Sequence, residues 1–244
     1  MARWSRMLNR EFVPWLEVPS GASWLDVGCG TGALSRTLFE IASPGSVTGV
    51  DPSPQFVEAA RAQVPEARFV VGGAERLPFE DESFDAAAAA LCFHIMPDPV
   101  SGAAEIYRVL RRGGAAGATV WPASNGMEAF IRLFEMAGRL GLPPREGHSQ
   151  VGDSTSFGAV FEQTGFEDVV IRDITIPTVF RDFEEYWEPV GNRPGAGRTE
   201  AYVAALSESD RQRLRTAMRE SLPVQPDGSI HLKARALALR ARKT

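Results

Sequence analysis

Apolar positions along the 244-residue chain change period repeatedly, and each change marks an element. Trp4, Met7, Leu8, Phe12 and Trp15 fall near helical spacing, predicting an amphipathic helix over Trp4–Leu16 that stops at Pro19, Ser20 and Gly21. Ser23–Val27 is a short apolar run ending in glycines, and helical character over Ala33–Ala42 follows it. Strand Ser46–Val50, helix Pro54–Gln63 and strand Ala67–Val71 continue the alternation, which implies a parallel sheet with helices on both faces. Phe84–Cys92 reads as a fourth strand despite its alanines, because turns precede it and Pro97 and Pro99 follow. Helix Val100–Leu110, an exit at Arg111–Gly114 and strand Ala115–Trp121 come next.

Beyond Trp121 the rhythm breaks. A helix over Gly126–Leu140, a polar loop over Gly141–Asp153 and a helix over Ser156–Thr164 precede an alternating strand, Val169–Ile176. Phe183–Trp187 and Glu200–Ser221 read as helices, and Ser229–Leu239 as a last strand opened by Asp227 and Gly228. The expectation is one α/β domain over 1–244, with an N-terminal helix in 1–22, an alternating core in 23–121, and insertions at 122–155 and 181–226.

The segment Trp24-Leu25-Asp26-Val27-Gly28-Cys29-Gly30-Thr31-Gly32 sits between a predicted strand and helix, where the backbone must turn sharply and approach a ligand without Cβ atoms in the way. Gly28, Gly30 and Ala33 also satisfy the dinucleotide pattern, so the glycines alone leave the ligand open. Asp51, nineteen residues past Gly32, ends the second strand, where a carboxylate can accept both ribose hydroxyls of an adenosine. A carboxylate at Asp26, just before the first glycine, would repel a pyrophosphate but suit an ammonium group.

The loop LDVGCGTG, the strand end VTGVDPS, the segment GGAERLPFEDESFDA, and HIMPDP followed by RVLRRGG occur in order over roughly Trp24–Trp121. In these motifs the chain resembles the class I S-adenosylmethionine-dependent methyltransferases of the small-molecule, UbiE-like type. The resemblance implies a Rossmann-like seven-stranded sheet in the order 3-2-1-4-5-7-6, with the last strand antiparallel and Ser229–Leu239 as that strand. It implies S-adenosylmethionine as cofactor, S-adenosylhomocysteine as product and no metal. Asp26 and the loop Gly28, Cys29, Gly30 and Gly32 would hold the methionyl part, Asp51 and Pro52 the ribose, Gly73, Ala74 and Glu75 the adenine edge, and Leu91 and Cys92 the methionyl side. Two positions depart from the family pattern: Gly73 stands where an aspartate is frequent, and Arg112 where a proline is frequent.

Methyl transfer from a sulfonium requires mainly in-line placement and exclusion of water. His94, just past the fourth strand, is the candidate general base; His148 and His231 read as surface residues. Trp4, Trp121 and Trp187 are candidate acceptor-pocket walls, since aromatic faces attract cationic groups. Cys29 and Cys92 end neighbouring strands and read as inert pocket-lining thiols.

Charge and composition narrow the partners. A net charge of -5 provides no field for phosphate polymers, and the basic residues from Arg211 to Lys243 are spaced as solvated faces, so nucleic acid is not an expected partner. No Asn-Pro-Pro-Tyr or Asp-Pro-Pro-Tyr tetrapeptide follows the fourth strand. No run is long and apolar enough to span a bilayer, and two cysteines in no metal-ligand spacing fit a cytoplasmic protein, monomeric or homodimeric. The expected function is methyl transfer to a small organic acceptor at O, N or C. A binding or regulatory module without turnover is the alternative, and a nicotinamide oxidoreductase is a third reading that leaves Asp26 and the antiparallel strand unexplained.

Overall fold

A computed structural model describes residues 2–122, 124–144, 151–191 and 198–244. In chain order the elements are α1 (Ala2–Trp15), β1 (Ser23–Val27), α2 (Ala33–Ile41), β2 (Ser46–Asp51), α3 (Pro54–Gln63), β3 (Arg68–Val71), β4 (Phe84–Ala90) and a 3-10 turn at Phe93–Ile95. They continue with α4 (Pro99–Val109), β5 (Leu110–Val120), α5 (Glu128–Arg139), α6 (Ser154–Glu162), β6 (Glu167–Phe180), α7 (Phe183–Gly191), α8 (Arg198–Ala205), α9 (Glu208–Ser221) and β7 (Ile230–Arg242). The sheet order is β3-β2-β1-β4-β5-β7-β6, as the family resemblance implies. Strands β1 to β5 pair in parallel, and β7 runs antiparallel to β5 with Ala115 opposite Arg242 and Val120 opposite Leu237.

Several bounds differ from the sequence reading, each for a local reason. Strand β4 stops at Ala90 because Leu91 takes φ +60. Strand β5 begins at Leu110, since Arg111–Gly114 forms a bulge in the register with β4 and not an exit loop; Gly113 at φ +76 makes the turn, so Arg112 fits without a proline. The helix expected over Glu200–Ser221 is two, because the Ser207 hydroxyl accepts from Asp210 N and starts α9 afresh. Strand β7 runs on to Arg242, and Lys243, expected on a solvated face, is buried: its Nζ donates to Leu110 O at 2.7 Å and lies over the Tyr107 ring.

Two compact units divide the chain. One comprises Met1–Ala123, Ser149–Ile174 and Ala236–Thr244, the other Ser124–His148 and Thr175–Arg235. In the first, alanines 86–89 of β4 are fully buried, as are Ala116 and Ala118 of β5. A Cβ at Gly117 would lie 2.6 Å from Leu16 and 2.8 Å from Phe12, so small residues in the central strands let α1 lie close on the sheet. This close packing outweighs alanine's low strand propensity. The larger core cluster sets Leu25, Val27 and Ile106 with Phe93, Phe157, Phe161 and Phe166, and a smaller one sets Cys29 with Val57, Ala60, Val64 and Phe69. The second unit buries Phe180, Phe183, Tyr186 and Trp187; the Tyr186 hydroxyl donates to Ala129 O at 2.8 Å. Its Arg215 and Arg219 pair with Glu184 and lie over Phe183, which accounts for two of the basic residues in the final stretch.

At the amino ends of β1 and β4, Asp85 accepts from Ser23 N at 2.8 Å, Ser23 Oγ at 2.7 Å and Arg111 at 2.6 Å. The Ser23 bonds, then Arg111, hold its carboxyl at about 2. A carboxyl lowered in the folded state stabilises above the unfolded value near 4, and that contribution disappears as pH falls through 2. The side chain is 42% exposed, so solvent screening leaves about 1 kcal/mol. Asp85→Asn is therefore expected to lower the melting temperature at neutral pH, with the gap to the parent closing between about pH 4 and 2. A gap constant across that range contradicts the assignment.

Candidate functional site

The site gathers at the carboxyl ends of β1, β2 and β4, where open α/β sheets bind ligands. Gly28 N and Cys29 N both donate to Val50 O, at 2.8 and 3.0 Å, fastening the loop after β1 to β2. Gly28 adopts φ +70, and a Cβ there would lie 2.8 Å from Cys92 Cβ and 3.0 Å from its Sγ. Gly30 adopts φ +51, and a Cβ there would meet nothing within 4 Å, so its backbone presents a bare face to open space. Gly32 ends the loop as the residue before α2.

Two buried carboxylates bracket this loop. Asp51, at the end of β2, accepts from Gly30 N and Ser53 N, each at 2.9 Å. It thereby sets the loop's bare backbone next to an ionisable oxygen pair; Pro52 beside it is exposed. Asp26 accepts through Oδ2 from Ser35 N at 3.0 Å and Ser35 Oγ at 2.6 Å, tying β1 to the first turn of α2 across the glycines. Burial pushes the Asp26 carboxyl up to about 7 against the lowering effect of the Ser35 bonds.

The segment after β3 closes the next side. Gly72 N donates to Asp51 O at 3.0 Å, placing Gly73, Ala74 and Glu75 beside the end of β2. Downstream, Leu77 N donates to Glu105 of α4 at 2.7 Å, and Arg108 donates to the carbonyls of Leu77 and Phe79 and to Asp81. An ion pair between Arg108 and Glu105 at 2.7 Å completes the clamp and holds the Glu105 carboxyl below its ordinary range. This clamp fixes the path of the segment that follows Glu75, from Leu77 to Asp81.

At the end of β4, Leu91 is half-buried at φ +60, an unfavourable conformation for a branched residue, and its N–H bonds to Thr119 O and Oγ1 hold it there. The Cys92 thiol donates to Val27 O at 3.2 Å. Cys92 and Cys29 end adjacent strands but belong to different core clusters, and burial pushes both thiols well above their ordinary value, as inert cysteines require. His94 is half-buried in the 3-10 turn. Trp121 is half-buried just past β5, whereas Trp4 and Trp187 are 5% and 2% exposed, each in its own unit, Trp187 stacked on Phe183. His231 is exposed against Ser229, and His148 lies outside the described residues.

Ser35, Thr119 and the Arg108–Glu105 clamp escape sequence reasoning because each acts on a partner in another element. A serine in a helix's first turn carries no hint that a strand carboxylate nine positions earlier will take its N–H. Among the described residues, no group of three His, Cys, Asp or Glu is placed to hold a metal ion, and no helix is long and apolar enough to cross a membrane.

Comparisons with known proteins bear on the family and the fold. Residues 25–117 match the family described as "Methyltransferase domain". An uncharacterized methyltransferase of Mycobacterium tuberculosis is 36% identical over 137 residues, 56% of this chain and 55% of that protein, so the match spans about half of that relative's length. A demethylmenaquinone methyltransferase of Staphylococcus aureus is 31% identical over 176 residues, 65% of this chain and 73% of that protein. Among solved structures, the YcgJ protein of Bacillus subtilis superposes with a TM-score of 0.62 at 19% identity, covering 99% of this chain and 98% of that one, a likeness of fold.

Proposed function

Because this chain belongs to the class I S-adenosylmethionine-dependent methyltransferases, we propose that it transfers the methyl group of S-adenosylmethionine to an oxygen, nitrogen or carbon nucleophile of a small organic acceptor, releasing S-adenosylhomocysteine. The observation that carries this reading is Asp51, buried at the end of β2 and bonded to the backbone of a glycine loop that presents a bare face beside it. A carboxylate so placed suits a ribose diol. The Gly28–Gly32 backbone with Asp26 would hold the methionyl end, Asp51 and Pro52 the ribose, Gly73–Glu75 the adenine, and Leu91 and Cys92 the methionyl wall. The residues fit such a ligand: Glu75 Oε1 is buried with no hydrogen-bond partner among the described residues, and the bare face at Gly30 leaves room for one.

Bound S-adenosylmethionine supplies an electrophilic methyl group, so no residue need activate the donor. The chain's own contribution is placement and proton handling. Asp26, held near neutrality by burial, ionises more readily beside a bound ammonium group. His94 is the base that takes the acceptor's proton, and Trp121 is a wall of the acceptor space. Residues 122–155 and 181–226 set acceptor choice. The finer assignment we favour is the UbiE-like branch, whose Staphylococcus relative is named for demethylmenaquinone.

The test is label transfer from methyl-tritiated S-adenosylmethionine to a panel of phenols, quinols, amines and carboxylic acids. Label in an organic product supports the reading; cofactor binding without transfer to any of these classes favours the module without turnover. On an acceptor so found, His94→Ala is expected to lower kcat about a hundredfold or more with cofactor affinity retained. Normal turnover removes His94 from the mechanism.

A further inference from the structure

A cavity of about 370 Å³ opens at the amino ends of β1 and β4, at the other end of the sheet from the glycine loop. Its walls are the segment 18–22 that leads into β1, the turn 111–114, and Arg242 near the end of β7, all within the first unit. Three guanidinium groups, of Arg111, Arg112 and Arg242, line it with one carboxylate, Asp85. That is a surplus of two positive charges in a chain whose net charge is -5. Two of the three are anchored. Arg111 gives only Nη1 to Asp85 and Ser23 Oγ, and Arg242 gives only Nη2 to the carbonyls of Leu16 and Glu17, at 3.3 and 3.4 Å. A guanidinium carries five N–H donors, so each keeps its Nε and second Nη for another acceptor while its position is held. Glu17, whose charge reaches Arg242, is itself paired with Arg240 at 2.7 Å. Arg112 has no hydrogen bond or ion pair among the described residues, and Gly113 makes the turn beside it, so the fold requires no cation there.

We propose that this cavity is a second binding site, which takes the dianionic phosphate group of a small soluble phosphomonoester. Such a group carries nearly two negative charges at neutral pH and three strong acceptor oxygens, and guanidinium forks pair with those oxygens two bonds at a time. The ligand's charge thus balances the surplus on the walls, which a monocarboxylate does not. A volume of about 370 Å³ lies at the lower end of small-molecule sites, enough for a phosphate with a short organic group. Its concave form suits a soluble ligand and not a flat bilayer. The site uses none of the residues assigned to the cofactor or the acceptor, so it stands apart from the proposed function.

The experiment is calorimetric titration of the full chain with inorganic phosphate, glycerol 3-phosphate and acetate, at an ionic strength held constant with chloride. Flotation with phosphatidylcholine vesicles, with and without phosphatidic acid, runs beside it. The parent is expected to bind glycerol 3-phosphate saturably, at millimolar affinity or tighter, and not to bind acetate. Arg112→Ala is expected to weaken that binding about tenfold or more, the range of one charge-assisted hydrogen bond, at an unchanged melting temperature. Arg242→Lys, which keeps the charge and loses the fork, weakens it by a smaller factor. Absence of saturable phosphomonoester binding in the parent, or equal affinity in the parent and Arg112→Ala chains, overturns the proposal. So does flotation on phosphatidic acid vesicles without binding of the soluble monoester.

Discussion

Gly28→Ala is expected to abolish cofactor binding and to destabilise the first unit. Two separate terms act together. At φ +70 an alanine sits in the left-handed region, which costs about 1–2 kcal/mol. Its methyl group would then stand 2.8 Å from Cys92 Cβ and 3.0 Å from Sγ, closer than side-chain carbons pack, and relief of such overpacking costs about 1–3 kcal/mol more. Nothing near Gly28 can move freely. Its N–H is bonded to Val50 O, and the Cys92 thiol is bonded to Val27 O, so the strain displaces the loop that carries Gly30. Thermal unfolding reads the stability loss and calorimetry the binding loss. Cys92→Gly in the same chain removes both clashing atoms and is expected to recover part of the stability, leaving the backbone term. A Gly28→Ala protein that melts and binds as the parent does would refute this account of the loop.

Asp51→Ala is expected to weaken S-adenosylmethionine binding by roughly 1.5–3 kcal/mol through loss of a charge-assisted contact. A second loss adds to it, since Gly30 N and Ser53 N lose their acceptor and the bare face at Gly30 is no longer set. Asp51→Asn separates the two. Its amide oxygen can still accept from one of those N–H groups, so the fold is retained while the ribose contact is weakened. Comparing the melting temperature and cofactor affinity of the two variants with the parent apportions the effect. Unchanged affinity in Asp51→Ala contradicts the ribose assignment.

The central strands and their helices are legible in the sequence because parallel strands buried on both faces read as continuous apolar runs. Ser23–Val27 and Pro54–Gln63 are found where the pattern puts them, and the alanine run of β4 is recognised by its flanking turns. Legibility fails where a tertiary partner sets an end. Leu91 leaves β4 because Thr119 holds its N–H, and β7 continues to Arg242 because Ala115 and Gly114 lie opposite its last residues. The break at Ser207 was open to a purely local reading, since Ser-Glu-Ser-Asp places a capping hydroxyl three residues before an acid. Basic residues misled in one case: Lys243 resembles a tail charge but delivers its ammonium to a buried carbonyl.

For the site, the sequence names the glycines, Asp26 and Asp51 because backbone geometry and charge limit what can stand there. It does not show that Asp26 is engaged with Ser35, because that bond joins a strand to the helix that follows the loop. Nor does it show that Trp4 and Trp187 are almost wholly buried, since helical spacing alone does not distinguish a pocket wall from core.

The cofactor that the glycine loop accepts is the central assignment. Titration of the purified protein with S-adenosylmethionine, S-adenosylhomocysteine and NADH by calorimetry answers that directly. Micromolar binding of the first two with no heat from NADH is the predicted result. Binding of NADH alone would contradict the account.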